Sequence, residues 1–360
     1  MIFKLTLNSN EPVVGDVFYT VPTTEEIQKA EKIVIDLCNE RITEVYKESG
    51  QEIQRIIKDC LNNEIEKMCA TETAYYFLVL KEIAELTQEE GYPIKTLGNL
   101  SGSIISYLLG ITEYEPLSVG VENYLPELTW GTDTNITIPD FTLGIAPQIR
   151  PLIHERLDVK YSGVECDTNI FKQISLINVK TCEVLGALSK ETGQRPFISD
   201  FDSAVYQRVV RNIIDDCLGE DSVKNLLYEE IKQITSWDFH SVLRLYAYTL
   251  DSFNHTKSIL NLNNKDFFVT RDEFFNNLTR HNVPTDIALD IVKKGVRSTG
   301  AKREKYVKEL EKYNVPEYIK NYFSDVTHLW VSTDCVGRLL HMCYMAWYQE
   351  HFPTEFEQLG

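Results

Sequence analysis

A mainly helical α+β fold with one small mixed sheet is what this 360-residue sequence predicts, and three observations carry that expectation. Apolar residues recur at helical spacing through the first quarter of the chain. Between Gly91 and Arg150 the texture changes, and Gly, Pro, Thr and Ser punctuate short β-prone runs. From about Asn178 helical spacing returns and continues to the C-terminus. A hydrophobic content of 43% with 25% charged residues is that of a folded globular protein and excludes wholesale disorder.

In chain order, Thr23-Thr24-Glu25-Glu26 supplies a capping residue and early acids for a first helix, with Ile27, Ile33, Ile35 and Leu37 as its apolar positions. A second helical stretch runs from Ile53 to Leu86, with Ile56, Ile57, Leu61 and Ile65 on one face. The sheet is expected in the Gly91–Arg150 region, where Asn135–Ile138 and Phe141–Leu143 read as strands. In the helical second half, turns are marked by Asn282-Val283-Pro284 and Asn314-Val315-Pro316. The longest apolar runs, such as Tyr75–Leu80, fall far short of the roughly 18–20 residues of a membrane span. The opening MIFKLTLNSNEPVVG has no sustained apolar core, so no secretory signal is read and a cytoplasmic protein is expected.

Charge narrows the function classes. Lys and Arg number 36 against 54 Asp and Glu, giving a net charge of −18. The first 92 residues alone hold 9 basic against 18 acidic side chains, half of that excess. A protein that grips the nucleic-acid backbone gains its affinity by neutralising phosphates, so this balance argues against direct binding over most of the surface. The exception is Lys293–Lys312, where eight basic side chains, among them Lys293, Lys294, Arg297, Lys302, Arg303 and Lys305, stand against three acids. It reads as a solvated helix or as a contact for a polyanion. The eight cysteines are scattered with no CxxC, and no metal or other cofactor is expected.

Few residues carry the pattern of a chemical site. Lys95–Ser103 is a glycine-rich turn opening an apolar helix, a geometry that can present backbone N–H groups to phosphate. It matches neither the P-loop nor the dinucleotide fingerprint. If Ile138–Ile145 is a strand, Asp140, Thr142 and Gly144 share one of its faces. One carboxylate there is too few for a metal site of the phosphoryl-transfer type. His154 sits beside Glu155 and Arg156 without a nucleophile motif.

Taken in order, these segments resemble the palm and fingers of the bacterial replicative DNA polymerase III alpha subunit, most closely the PolC type. GYPIKTLGNLSGSIISYLLGITEYEPL, Gly91 to Leu117, is similar to the family's phosphate-contacting Gly-Ser turn followed by GITE-x-x-PL. IPDFTLGI resembles its P-D-x-D-x-D-F strand, and Ile170 to Gly193 the next strand and helix of the palm. Phe268 to Pro353 is similar to the fingers, including KYNVPEYI and the closing EHFP. The resemblance implies a truncated palm-like domain over residues 1–178 and a fingers-like helical domain over 179–360.

The same resemblance implies that the catalytic apparatus is degenerate. The family's two metal-binding carboxylates of the first strand correspond to Thr142 and Gly144, and its third, on the next strand, to Ser175. Asp140 is a remnant outside the catalytic set. In the nucleotide pocket, Leu97 stands where the family has Arg, while Gly98 and Ser103 remain. The fingers' phosphate-facing Lys and His correspond to Ser332 and Asp334, and an anion near a triphosphate adds repulsion of about 4 kcal/mol per close pair at an effective dielectric near 20. Asp334 and Arg338, four residues apart, also suit a plain surface helix pair. The 21 residues 118–138 hold no cysteine where the PolC type carries a zinc-binding insert. These departures from the family pattern imply a non-enzymatic, PolC-like pseudo-polymerase working through protein binding: a regulator or decoy connected with bacterial DNA replication, of phage or mobile-element type. Its partner would be a replication protein or a polymerase-directed inhibitor. The alternative is a DNA-binding polymerase fragment in replication.

Overall fold

A computed structural model describes residues 16–18, 23–116, 141–160, 174–216, 221–234, 236–250, 268–326 and 328–359. The chain forms two compact units. The first comprises the described residues up to 199 together with 347–359, and the second those between 200 and 346.

The first unit opens on a short strand, β1 (Asp16–Phe18), so the first quarter is not wholly helical as its spacing suggests. Helix α1 (Thr24–Val45) starts in a capping box: the Thr23 hydroxyl accepts from the Glu26 N–H, and the Glu26 carboxylate accepts from the Thr23 N–H at 2.7 Å. Its buried stripe is Ala30, Val34, Cys38 and Ile42, a strict four-residue step. Ile33, expected on the apolar face, is 38% exposed. The second helical stretch is two helices, α2 (Gln51–Ala70) and α3 (Ala74–Glu89), separated where Glu72 adopts a positive φ of 52°. In α2 the buried positions are Ile57, Leu61, Glu64 and Met68, whereas Ile56 is 44% exposed. Which of the apolar stripes is buried is set by the neighbouring helices it packs against, not by the helix's own residues.

Then come β2 (Lys95–Gly98), a 3-10 turn over Asn99–Gly102, and the short helix α4 (Ile104–Leu108). Strand β3 (Phe141–Ile145), helix α5 (Arg150–Lys160), strand β4 (Ile174–Asn178) and helix α6 (Lys180–Thr192) complete the segment. The Asn135–Ile138 run lies outside the described residues. The four strands form one mixed sheet in the order β1-β4-β3-β2, with β3 and β4 parallel and both outer pairs antiparallel. Helix α3 covers it: Phe77 meets the Phe141 ring edge-on at 5.3 Å, and Leu80 and Ile83 are fully buried beside it.

Helix α6 lies against this unit through a glycine. A Cβ at Gly186 would fall 2.1 Å from Cδ1 of Tyr92, whose ring is itself held by the Lys190 ammonium 4.0 Å from its centroid. Ala is favoured over Gly inside a helix by up to about 1 kcal/mol, but overpacking costs about 1–3 kcal/mol. Gly186→Ala is therefore expected to destabilise the first unit, read as a fall in the urea midpoint; an unchanged or raised midpoint would contradict it.

The second unit is helical: α7 (Ser203–Asp215), α8 (Asp221–Ile231), α9 (Phe239–Thr249), α10 (Arg271–Arg280), α11 (Thr285–Asp290), a π-helical turn over Ile291–Gly295, α12 (Gly300–Leu310), α13 (Glu317–Asp325) and residues 332–346 of α14 (Ser332–His351). Both expected turns fall between helices, with Asn282 at a φ of 60°. The core gathers Phe268, Phe274, Tyr322 and Phe323, with the Phe268 and Tyr322 rings 4.2 Å apart. The final helix, α15 (Pro353–Leu359), belongs with the first unit, where it packs on α6. The Tyr348 hydroxyl donates to the Gln194 carbonyl at 2.5 Å. Helix α6 falls in the same compact unit as the sheet that precedes it, and the two units divide at 199/200.

Candidate functional site

Backbone pairing brings three of the positions singled out in the sequence together. Thr142 on β3 and Ser175 on β4 are directly opposed Cα partners, and Leu97 on β2 opposes Thr142 from the other side. Gly144 opposes Lys95 and Ile177, and Gly98 opposes Phe141. Asp140 lies outside the described residues.

The place a side chain would take at position 144 is filled. An ideal Cβ there would lie 2.5 Å from Cγ2 of Val179 and 3.1 Å from the Lys95 Cβ. Val179 is held at the end of β4 by its N–H, which donates to the Ile145 carbonyl at 2.9 Å. The Cys182 thiol points at the Gly144 carbonyl at 3.5 Å, and burial pushes that thiol up to about 12. Position 144 is thus packed as protein interior.

The glycine-rich turn has a partner that its own residues do not announce. Ser103 caps α4, its hydroxyl accepting from the Ser106 N–H at 3.0 Å. The same hydroxyl donates to Oε2 of Glu64 at 3.2 Å, and the Ile105 N–H donates to that oxygen at 2.9 Å. Glu64 is fully buried, and its other oxygen, Oε1, has no hydrogen-bond partner. Burial pushes its carboxyl up to about 8, against the opposing pull of the Ile105, Ser103 and Ile104 contacts and of Lys67. The Ser103 hydroxyl and the Ile105 N–H, where the turn opens into α4, are therefore engaged by a side chain of α2. The available signal was an acid standing in the register Ile57, Leu61, Glu64, Met68.

In the second unit Ser332 and Asp334 begin α14, and both are withdrawn from the surface. The Ser332 N–H donates to Oδ2 of Asp272 at 2.6 Å, and its hydroxyl lies 3.0 Å from that of Thr270. Burial raises the Asp272 carboxyl to about 6 against these bonds. Asp334 is half-buried, not a surface pair with Arg338; Arg338 instead lies 5.6 Å over the Trp330 ring. Arg271, Asp272, His328 and Trp330, which complete this group, carried no recognisable motif.

The basic run does not act as one surface. Arg303 donates to the carbonyls of Val296 at 3.1 Å, of Ser324 at 3.4 Å and of Val326, and sits 5.2 Å over Phe323, so its guanidinium ties α12 to the end of α13. Lys294 pairs with Asp290 at 3.1 Å. Lys293 is half-buried, while Arg297, Lys302 and Lys305 are exposed. Arg156 pairs with Glu82 and Glu89 of α3, and the His154 side chain lies outside the described residues.

The family profile of the bacterial DNA polymerase III alpha NTPase domain matches residues 32–185. The PolC-type DNA polymerase III of Oceanobacillus iheyensis is 29% identical over 94 residues, covering 26% of this chain and 6% of the relative. That of Thermotoga maritima is 29% identical over 91 residues, 25% of this chain and 6% of the relative. That of Streptococcus sanguinis is 27% identical over 113 residues, 31% of this chain and 7% of the relative. The chain thus corresponds to a small fraction of the length of the relatives it matches. Among the described residues, no helix is long and apolar enough to cross a membrane.

Proposed function

From a chain related over residues 32–185 to the bacterial DNA polymerase III alpha subunit, we propose a PolC-like protein that does not polymerise and acts by binding another protein of DNA replication, as a regulator or decoy of phage or mobile-element type. The observation that carries the reading is at the paired strands β3 and β4. Where the family resemblance calls for three carboxylates, Thr142 and Ser175 are opposed and Gly144 has its side-chain space taken by Val179. This donor set does not fit a pair of Mg²⁺ ions, which are hard cations needing carboxylate oxygens to hold them beside a triphosphate. The likeness of residues 268–353 to fingers supports the same reading through its motifs, with Ser332 committed to Asp272 and Asp334 in place of a cation.

Purified chain on a primed template is expected to give no extension with either Mg²⁺ or Mn²⁺, while affinity capture from a bacterial lysate recovers a replication protein. Extension that disappears in Asp140→Ala would overturn the reading, as would capture of no replication component. A second reading, direct contact with DNA, is favoured by the exposed Arg297, Lys302 and Lys305. Its mark is binding to primed duplex that weakens steeply with salt, because counterion release scales with the phosphates neutralised.

A further inference from the structure

Inside the first unit, Oε1 of Glu64, Oγ of Ser101 and Oγ of Ser106 are buried with no hydrogen-bond partner from the chain. All three residues are fully buried. They belong to one local arrangement. Glu64 reaches from α2 to the glycine-rich turn, where its Oε2 accepts from the Ser103 hydroxyl at 3.2 Å and from the Ile105 N–H at 2.9 Å. The Ser103 hydroxyl in turn accepts from the Ser106 N–H at 3.0 Å, and Ser101 stands two residues before Ser103 in the 3-10 turn. Leu61, Leu100, Ile104 and Ile105 belong to the same buried core, so the surroundings are apolar.

Buried polar atoms nearly always find partners, because an unmade hydrogen bond is costly in a low-dielectric interior. The Glu64 carboxyl has a further need. Burial raises it to about 8, so it holds its proton at neutral pH. Oε2 already accepts two bonds, which leaves the proton on Oε1 as a donor in want of an acceptor. Neither serine hydroxyl bonds to Oε1 directly. Polar groups that share an interior and do not reach one another are joined by water where each can offer it a bond.

We propose that the inside of the glycine-rich turn is a binding site for one internal water molecule, held by Oε1 of Glu64 and the hydroxyls of Ser101 and Ser106. The water accepts from the carboxyl and donates to the two serine oxygens, and about three bonds is what a buried water makes. Each of the three atoms gains a partner in this way. The water joins α2 to the turn beside the direct Glu64 bonds, and so supports the Ser103 cap of α4 from within. A cation suits the place less well, since a protonated carboxyl brings no charge to hold it. The inference does not rest on the proposed function.

The test is a crystal structure of the full chain at a resolution that shows ordered water, with oxygen-17 relaxation dispersion of the solvent, which counts waters held long enough to tumble with the protein. The structure is expected to show one water within hydrogen-bond distance of Oε1 of Glu64 and of both serine oxygens. Glu64→Met is expected to lose one long-lived water from the dispersion amplitude. Glu64→Gln is expected to keep it, because the amide oxygen takes the Ser103 and Ile105 donors and the amide N–H turns to the water. Ser101→Ala combined with Ser106→Ala is expected to lose the same water while Glu64 stays in place. Circular dichroism establishes that each variant is folded. Oε1 bonded directly to a serine hydroxyl, a cation in place of the water, no density there, or an amplitude unchanged in Glu64→Met or in the serine pair would overturn the proposal. Loss of the water in Glu64→Gln would overturn it as well.

Discussion

Glu64→Gln is expected to flatten the pH dependence of stability of the first unit, and Glu64→Ala to lower that stability at every pH. The wild-type carboxyl moves from 4.5 in the unfolded chain to about 8 when folded, because burial disfavours its charge more than the Ser103 and Ile105 donors favour it. The folded chain therefore holds a proton that the unfolded chain releases between those values. The sign is that of an acid raised by folding: stability is highest below about pH 4.5, declines as pH rises to about 8, and levels off above it. The decline is on the order of a few kcal/mol, since each pKa unit corresponds to about 1.4 kcal/mol. The groups facing Glu64 are Cys38 from α1, Cys60 and Lys67 from its own helix, and Ser103 and Ile105 beyond the turn. The Cys38 thiol, raised to about 12, remains protonated throughout this window and adds no slope. Gln keeps an oxygen for both donors and carries no charge at any pH. Ala leaves the Ile105 N–H without its acceptor and opens a cavity, at a combined cost of about 2–4 kcal/mol. Amide exchange at Ile105, followed from pH 5 to 9, reads the local unit independently of the second one. The same slope in wild type and Glu64→Gln would show that the carboxyl is not the source.

The second large effect concerns the position where the family resemblance places a metal ligand. Gly144→Asp is expected to destabilise the first unit by about 2–4 kcal/mol rather than to restore a site. Its Cβ meets Cγ2 of Val179 at 2.5 Å, so the strand or the valine has to shift, and overpacking of this kind costs about 1–3 kcal/mol before the burial of a new charge is added. Gly144→Asp with Val179→Ala is expected to recover part of the loss in a urea melt, because the clashing methyl is gone. A single variant as stable as wild type would mean that the space around 144 is open and would reopen the question of catalysis.

Much of the fold was legible in the linear order of residues. The capping box at Thr23 and Glu26 and the turns at Asn282 and Asn314 depend on interactions within a few residues, which local spacing reports directly, and the β-prone alternation of Phe141–Leu143 marks its strand before any pairing partner is known. Helix faces were harder. In α1 and α2 a surplus of isoleucines offered more than one apolar stripe, and which one packs depends on neighbours distant in sequence; Ile33, Ile53 and Ile56 ended exposed. The edge strand Asp16–Phe18 was missed for a related reason, since three residues carry no period and gain their order only by pairing with β4.

For the candidate site the division is sharper. Residue identities alone determined that Thr142, Gly144 and Ser175 hold no carboxylate and that the chain is acidic overall with one basic run. Only the tertiary structure decided what stands in their place. Val179 fills the space beside Gly144, Glu64 of α2 takes the donors of the glycine-rich turn, and Arg303 leaves the basic run to bind the carbonyls at the end of α13. The reason is physical: a missing charge is a property of one position, whereas steric filling, burial and hydrogen-bond capture arise between residues brought together by folding. The −18 net charge shows this most plainly, for among those acids Glu64 and Asp334 are withdrawn from the surface, and burial raises the carboxyl of each.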